Sequence, residues 1–261
     1  MKSIYGRLLL AAIALPLLFA VVFWLPYAGF LAFHIFCVAG TFIGALEVRD
    51  LLAHRGVRVY GWSAGALGAT IPAVSYLQNM GLSGPGLLGL WITALVALLL
   101  LRSLLMNNER DLEALLIRLC ASLLILLYPG LFVYFLARLT SISEASWVLA
   151  LFFAAVFAND SAAYGAGRLF GSSLNLIISP NKSTIGFVAG FAASIGAALL
   201  IFVLSGGRIP GGLRATVIVG AALGLSTILG DLVESALKRS AHVKDSGTLM
   251  MGRGGFRDSI D

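Results

Sequence analysis

This sequence has little charge. Only 11% of its 261 residues are Asp, Glu, Lys or Arg, against about 25% in an average soluble domain. Cysteine and histidine are sparser still. Cys37 and Cys120 both lie in apolar runs, which excludes a disulfide framework or a zinc cluster built from them. Both are expected to pack as small hydrophobes. His34 falls inside an apolar run, His54 in a loop and His242 near a charged segment. No second His or Cys completes a transition-metal set around any of them. There is no internal repeat, no low-complexity segment and no hydrophilic stretch long enough to form a soluble domain.

What the chain does have is apolar surface, at 59% of residues with a mean hydropathy of +0.97. A water-soluble fold of this size would have to expose too much of it. A soluble enzyme, a disordered tail and a coiled coil are excluded together, and the solvent for most of the chain is lipid. Thirty glycines suit close helix packing in that solvent. Eight apolar stretches stand out, at about 8–25, 28–46, 61–78, 84–101, 115–136, 146–158, 186–204 and 214–230. All but the sixth approach the roughly 20 residues a spanning helix needs. They predict an all-α, polytopic integral membrane protein with about eight transmembrane helices, forming one membrane domain over 1–261. The sixth stretch is short, and its helix is expected to run on through Asn159 and Asp160 to Tyr164. The first follows Lys2 and Arg7 as a signal peptide would. No small-residue cleavage site precedes Tyr27 and further spans follow, so it reads as a span. Pro16, Pro72 and Pro129 lie inside spans and predict kinks, tolerated where neighbouring helices satisfy the freed carbonyls.

Basic residues in the loops set the orientation. With the N-terminus in the cytoplasm and eight crossings, Arg138, Arg208 and Arg214 fall outside and the remaining Lys and Arg inside. The excess of 18 basic over 12 acidic side chains is therefore a topology signal and a contact for lipid headgroups, and no nucleic-acid partner is implied. The acidic residues are equally one-sided. Glu144 alone falls outside, although the rule places no demand on carboxylates. Something on the cytoplasmic face uses them, and the chemistry belongs to the hydrophilic segments 159–186 and 231–261.

Three constellations lie there. Asp231, Glu234, Ser235 and Lys238 fall at i, i+3, i+4 and i+7, which puts them on one face of a helix leaving the apolar core. Ionisable groups at that depth usually face a cavity or partners. The plain structural reading beside this is a helix end with an internal Glu234–Lys238 pair. Next come Lys244-Asp245-Ser246-Gly247 and Gly252-Arg253-Gly254-Gly255-Phe256-Arg257-Asp258-Ser259-Ile260-Asp261. Carboxylates spaced by glycine, with Lys and Arg interleaved, suit a metal–phosphate site; a solvated basic tail is the plain alternative. The third runs from Asn159-Asp160 through Tyr164, Gly165, Gly167, Arg168 and Gly171 to Ser179-Pro180-Asn181-Lys182-Ser183. Its glycines fit neither a dinucleotide fingerprint nor a P-loop, and close helix packing explains them equally well.

In this order the segments resemble the phosphatidate cytidylyltransferases (CDP-diacylglycerol synthases), a family of integral membrane enzymes. Ser235, Lys238, Arg239, Lys244, Asp245, Gly247, Gly254, Gly255, Phe256, Asp258 and Asp261 match the family signature in register. Asp160, Tyr164, Gly167, Arg168, Gly171, Ser179, Pro180, Lys182, Ser183 and Gly186 match an upstream stretch. The loop at Glu47 and the region Tyr128–Arg138 are similar more weakly. Departures are Ile185 for an acidic residue, Met250-Met251 for an aliphatic–Pro pair, Arg253 for His and Ser259 for Arg. A ninth helix usual in the family is absent from these residues.

The resemblance implies a nucleotidyltransferase joining CTP to phosphatidate drawn from the bilayer, giving CDP-diacylglycerol and pyrophosphate. It implies Mg²⁺, with room for a second cation, held by Asp231, Glu234, Asp245 and Asp258, with Asp160 in support. Asp231, Lys238, Asp245 and Asp258 would be catalytic. Asp160, Arg168, Ser179, Lys182, Ser183, Ser235, Arg239 and Lys244 would touch CTP, phosphatidate or their phosphates. The active site would face the cytoplasm at a bacterial inner membrane, among membrane lipids, with a homodimer by analogy. Two rival readings remain at this point. The departures motivate a non-catalytic relative that binds phosphatidate or a partner. A transporter would predict charge deep in the spans and internal symmetry, and the sequence has neither.

Overall fold

The computed structural model describes residues 16–57, 59, 61–104, 112–171, 174, 178–179 and 182–243. Among these residues there are seven α-helices and no strand: α1 Tyr27–His54, α2 Gly61–Asn79, α3 Leu87–Ser103, α4 Leu115–Arg138, α5 Ala145–Phe170, α6 Thr184–Leu204 and α7 Gly212–Ser240. Residues 16–19 are also helical and run into a π-helical turn, Ala20–Trp24. Among the described residues the expected apolar stretches are helical except at Leu25 and at 84–86, where the helix starts only at Leu87. By length and composition α1, α4, α5, α6 and α7 can each cross a membrane, and α3 is a shorter apolar helix. The protein is an all-α, polytopic membrane protein. Trp24 and Tyr27 are exposed at the turn into α1, where amphipathic rings sit well at a lipid–water boundary.

Three expectations need correction. Glu47 is not in a loop, because α1 continues to His54 and buries Glu47 to 4% exposure. Val48 and Leu51 are buried on the same helix, so the inward stripe continues past the first charged residue and carries the helix with it. His54 is likewise the last residue of α1, its Nδ1 2.7 Å from the Asp50 carbonyl oxygen. Cys37 is buried but Cys120 is exposed on α4. Lipid is as apolar as a protein core, so hydropathy alone does not separate the two positions.

The helices form two compact units. The first holds the described residues up to Thr140, with 241–243. Here α2 packs on α1 and α4. Ile71, Val74, Leu95, Leu99, Leu126 and Tyr134 form one buried cluster, and Ala45, Val48, Ala64 and Ile125 another. Pro72 in α2 and Pro129 in α4 each remove a backbone donor. Gly68, four residues before Pro72, turns its carbonyl toward Gly130. A Cβ at Gly130 would meet that oxygen at 3.1 Å and Ile71 Cδ1 at 2.8 Å. The proline frees the carbonyl, and the glycine lets the other helix come close enough to cover it. His34 is buried as expected, with Nδ1 3.1 Å from the Phe30 carbonyl oxygen and its ring edge-on to Tyr76.

The second unit, Ser141–Ser240, contains α5, α6 and α7. Its packing follows a four-residue spacing of small side chains. Gly186, Gly190, Ser194 and Ala198 are the buried residues of α6, and Thr216, Gly220 and Gly224 are buried on α7. A Cβ at Gly186 would sit 2.8 Å from the Ala163 carbonyl oxygen, and one at Gly190 2.9 Å from that of Asn159. Backbones approach this closely because lipid provides no hydrophobic drive between helices, leaving contact and hydrogen bonds to hold them. Two such bonds cross the interfaces: Ser194 Oγ donates to the Gly220 carbonyl at 2.9 Å, and Asn159 Nδ2 to the Gly224 carbonyl at 3.1 Å.

Candidate active site

The second unit gathers candidate residues from three helices. Asn159, only 2% exposed, ties α5 to α7 through its amide, and this fixes the register of the next residue, Asp160. At the start of α6, Ser183 is the N-cap: its backbone is extended and its Oγ accepts from the Gly186 N–H at 3.0 Å. The cap anchors the loop before it. Lys182 donates its backbone N–H to Ser179 and accepts from the Leu174 N–H at 2.8 Å. Its side chain lies over the Phe187 ring, 5.9 Å from the centroid. So held, Lys182 Nζ pairs with Asp231 Oδ2 on α7.

Asp160 stands within electrostatic reach of both members of that pair. The Lys182–Asp231 pair joins α7 to the loop before α6, and Asp160 on α5 feels the charge of both. Lys182 is 17% exposed and Asp231 45%, so the cluster opens on its Asp231 side. Two carboxylates repel, and one ammonium cannot neutralise both. The arrangement therefore accommodates one further positive charge. Hard carboxylate oxygens of this kind are the donors Mg²⁺ takes.

The α7 stripe forms as its spacing predicts. Glu234 is 2% exposed and its Oε1 lies 2.7 Å from Lys238 Nζ. Glu234 is thus committed to an internal ion pair one turn beyond Asp231. Ser235 is half-buried and Arg239 exposed. On α5, Arg168 Nη1 donates to the Tyr164 hydroxyl at 3.0 Å. Asp160, Tyr164 and Arg168 recur every fourth residue and lie along one stripe. Ser179 is half-buried and Ser183 buried. Lys244, Asp245 and Asp258, with the departures at Arg253 and Ser259, lie outside the described residues. Ile185 is exposed in the first turn of α6. Among the described residues no group of three or more His, Cys, Asp and Glu side chains is placed to hold a metal.

Two residues gained weight from the structure. Asn159 is the hinge-pin of α5 on α7, and the only hint in the sequence was an amide beside a carboxylate in an apolar run. Tyr164 holds Arg168, for which the four-residue spacing was the available signal.

The cytidylyltransferase family model matches residues 6–261 of the chain. The chain is 36% identical over 147 residues to a phosphatidate cytidylyltransferase of Mycobacterium bovis, covering 54% of this chain and 45% of that protein. It is 38% identical over 120 residues to one from Staphylococcus saprophyticus, covering 46% and 45%. To the chloroplastic phosphatidate cytidylyltransferase 5 of Arabidopsis thaliana it is 34% identical over 123 residues, covering 45% and 30%. The chain thus spans less than half the length of these curated relatives.

Proposed function

The chain belongs to the cytidylyltransferase family, and from that premise we propose that it joins CTP to phosphatidate, giving CDP-diacylglycerol and pyrophosphate. The observation that carries this reading is the Lys182–Asp231 ion pair between α7 and the loop before α6, within electrostatic reach of Asp160 on α5. Joining two polyanions needs positioning and charge neutralisation more than covalent catalysis. A phosphate oxygen of phosphatidate attacks the α-phosphorus of CTP, the bond to the β-phosphate oxygen breaks, and pyrophosphate leaves with its electron pair.

Asp231 and Asp160 would hold Mg²⁺, joined by Asp245 and Asp258, and the bound cation would offset the charge of the triphosphate. Glu234 takes a different part in this reading: it holds Lys238. Lys182, Lys238, Arg239 and Lys244 bind phosphate oxygens, with Arg168 steadied by Tyr164 and with Ser179, Ser183 and Ser235 as hydroxyl contacts. The basic-residue asymmetry supports an active site on the cytoplasmic side of a bacterial inner membrane. There the acyl chains stay in lipid while the headgroup meets soluble CTP.

The test is incorporation of radiolabelled CTP into lipid by the purified protein in phosphatidate-containing vesicles. Product is expected with Mg²⁺, lost on chelation and restored on adding Mg²⁺ back. Lipid left unlabelled by the folded wild-type protein with Mg²⁺ present would overturn the assignment.

A further inference from the structure

Glycine-lined contacts bring helices close, but they are smooth. With no side chains to interlock, α5 could turn or slide on α6 at small cost, and a directional hydrogen bond removes that freedom. Asn159 supplies such a bond. Its Nδ2 donates to the Gly224 carbonyl of α7 at 3.1 Å. The other atom of the same amide faces α6: a Cβ at Gly190 would lie 2.9 Å from Asn159 Oδ1 as well as from its backbone oxygen. One buried side chain of α5 thus meets both neighbouring helices. The charged groups follow from this junction along each element. Asp160 is the next residue of α5. Asp231 lies about two turns beyond Gly224 on the same face of α7, and Ser183, which caps α6 and anchors Lys182, lies about two turns before Gly190. Asp160 feels the charge of both Lys182 and Asp231. Successive residues of a helix stand about 100° apart, so a rotation of α5 by one position would carry Asp160 away from that side.

We propose that Asn159 is a positioning residue: through its amide it sets the rotation of α5 and so keeps Asp160 on the side of the Lys182–Asp231 pair. This role rests on the nucleotidyl-transfer reading above and adds to it a side chain that touches neither substrate. A leucine or an alanine would pack at the junction without the cost of burying an amide; what the amide contributes is direction. Ser194 offers the comparison within the same unit. It is buried and makes the same kind of bond, its Oγ donating to the Gly220 carbonyl at 2.9 Å. That bond joins α6 to α7 and leaves the rotation of α5 untouched. Loss of either bond removes one tie between helices, but only loss of the Asn159 bond turns a carboxylate out of the site.

The experiment is steady-state CTP incorporation by the purified full chain in phosphatidate-containing vesicles, with rates divided by the folded fraction from size-exclusion chromatography in detergent. Asn159→Leu keeps the volume and loses the donor, and Asn159→Ala loses both. Each should lower kcat by about 10- to 100-fold, the cost of misplacing a group by about an ångström. KM for CTP should stay near the wild-type value, because the Lys and Arg contacts to the bound nucleotide remain in place. Ser194→Ala should keep the wild-type kcat. Wild-type kcat per folded molecule in Asn159→Leu, or an equal fall in Asn159→Leu and Ser194→Ala, would overturn this role and leave the reaction standing. A folded wild-type protein that labels no lipid would overturn both.

Discussion

Lys182 is the residue on which the candidate site turns. Its ammonium is mostly buried, pairs with Asp231 and lies within reach of Asp160, so it serves two carboxylates at once. Lys182→Met removes that charge and leaves Asp160 and Asp231 facing one another. CTP incorporation should fall by about 100-fold or more, the usual cost of losing a group that meets developing charge, while the protein still inserts in membranes. Lys182→Arg should recover part of the loss; incorporation at the wild-type rate in Lys182→Met would remove the residue from the site. Glu234 presents the opposite case. It is almost fully buried against Lys238, and breaking one side of a buried pair costs more than removing both partners. Glu234→Gln should destabilise the protein by about 2 kcal/mol, discounted for the partial exposure of Lys238. Glu234→Leu combined with Lys238→Leu should recover much of that stability without recovering activity. The check is thermal unfolding in detergent, and a Glu234→Gln variant melting with the wild type would show that the pair holds nothing.

At the scale of elements, α6 is positioned by absence of side chains. Gly190 lies against the Asn159 backbone and Gly196, on the same helix, faces open space. Gly190→Ala should cost about 1–3 kcal/mol by overpacking, whereas Gly196→Ala should be neutral or slightly stabilising from helix propensity alone. Equal melting temperatures for the two would mean that α5 and α6 do not depend on this contact. The same elements show what the sequence made legible. Hydropathy located the helices because a lipid solvent demands long apolar runs, and the spacing of Asp231, Glu234, Ser235 and Lys238 foretold one stripe on α7. Local pattern reaches no further than its own helix. That Lys182 would meet Asp231, or that Asn159 would fasten α5 to α7, depends on which faces of separate helices are glycine-lined and so come together. Glu47 was misplaced for a related reason. A window that ends at the first carboxylate misses a helix whose buried face continues beyond it.

For the whole molecule the governing question is which way the chain crosses the membrane, because a nucleotide and its cation are available on one side only. The argument rests on charge. Arg138, Arg208 and Arg214 are the basic residues assigned outside, and Glu144 the acidic one. Glu144 precedes α5 and pairs with Arg208 at 3.7 Å, and Arg208 lies over the Trp147 ring. Within the second unit, then, the turn entering α5 and the turn leaving α6 meet at one end. Asp160, Lys182 and Asp231 lie toward the far ends of the same helices. If that second end faces the cytoplasm, a reporter active only outside the cytoplasm should be active when fused after Ser141 and silent when fused after Ser240. Should the two fusions behave in the reverse sense, the carboxylates would open to the side that lacks CTP, and the proposed reaction would fail for want of substrate however well Asp231 and Lys182 are placed.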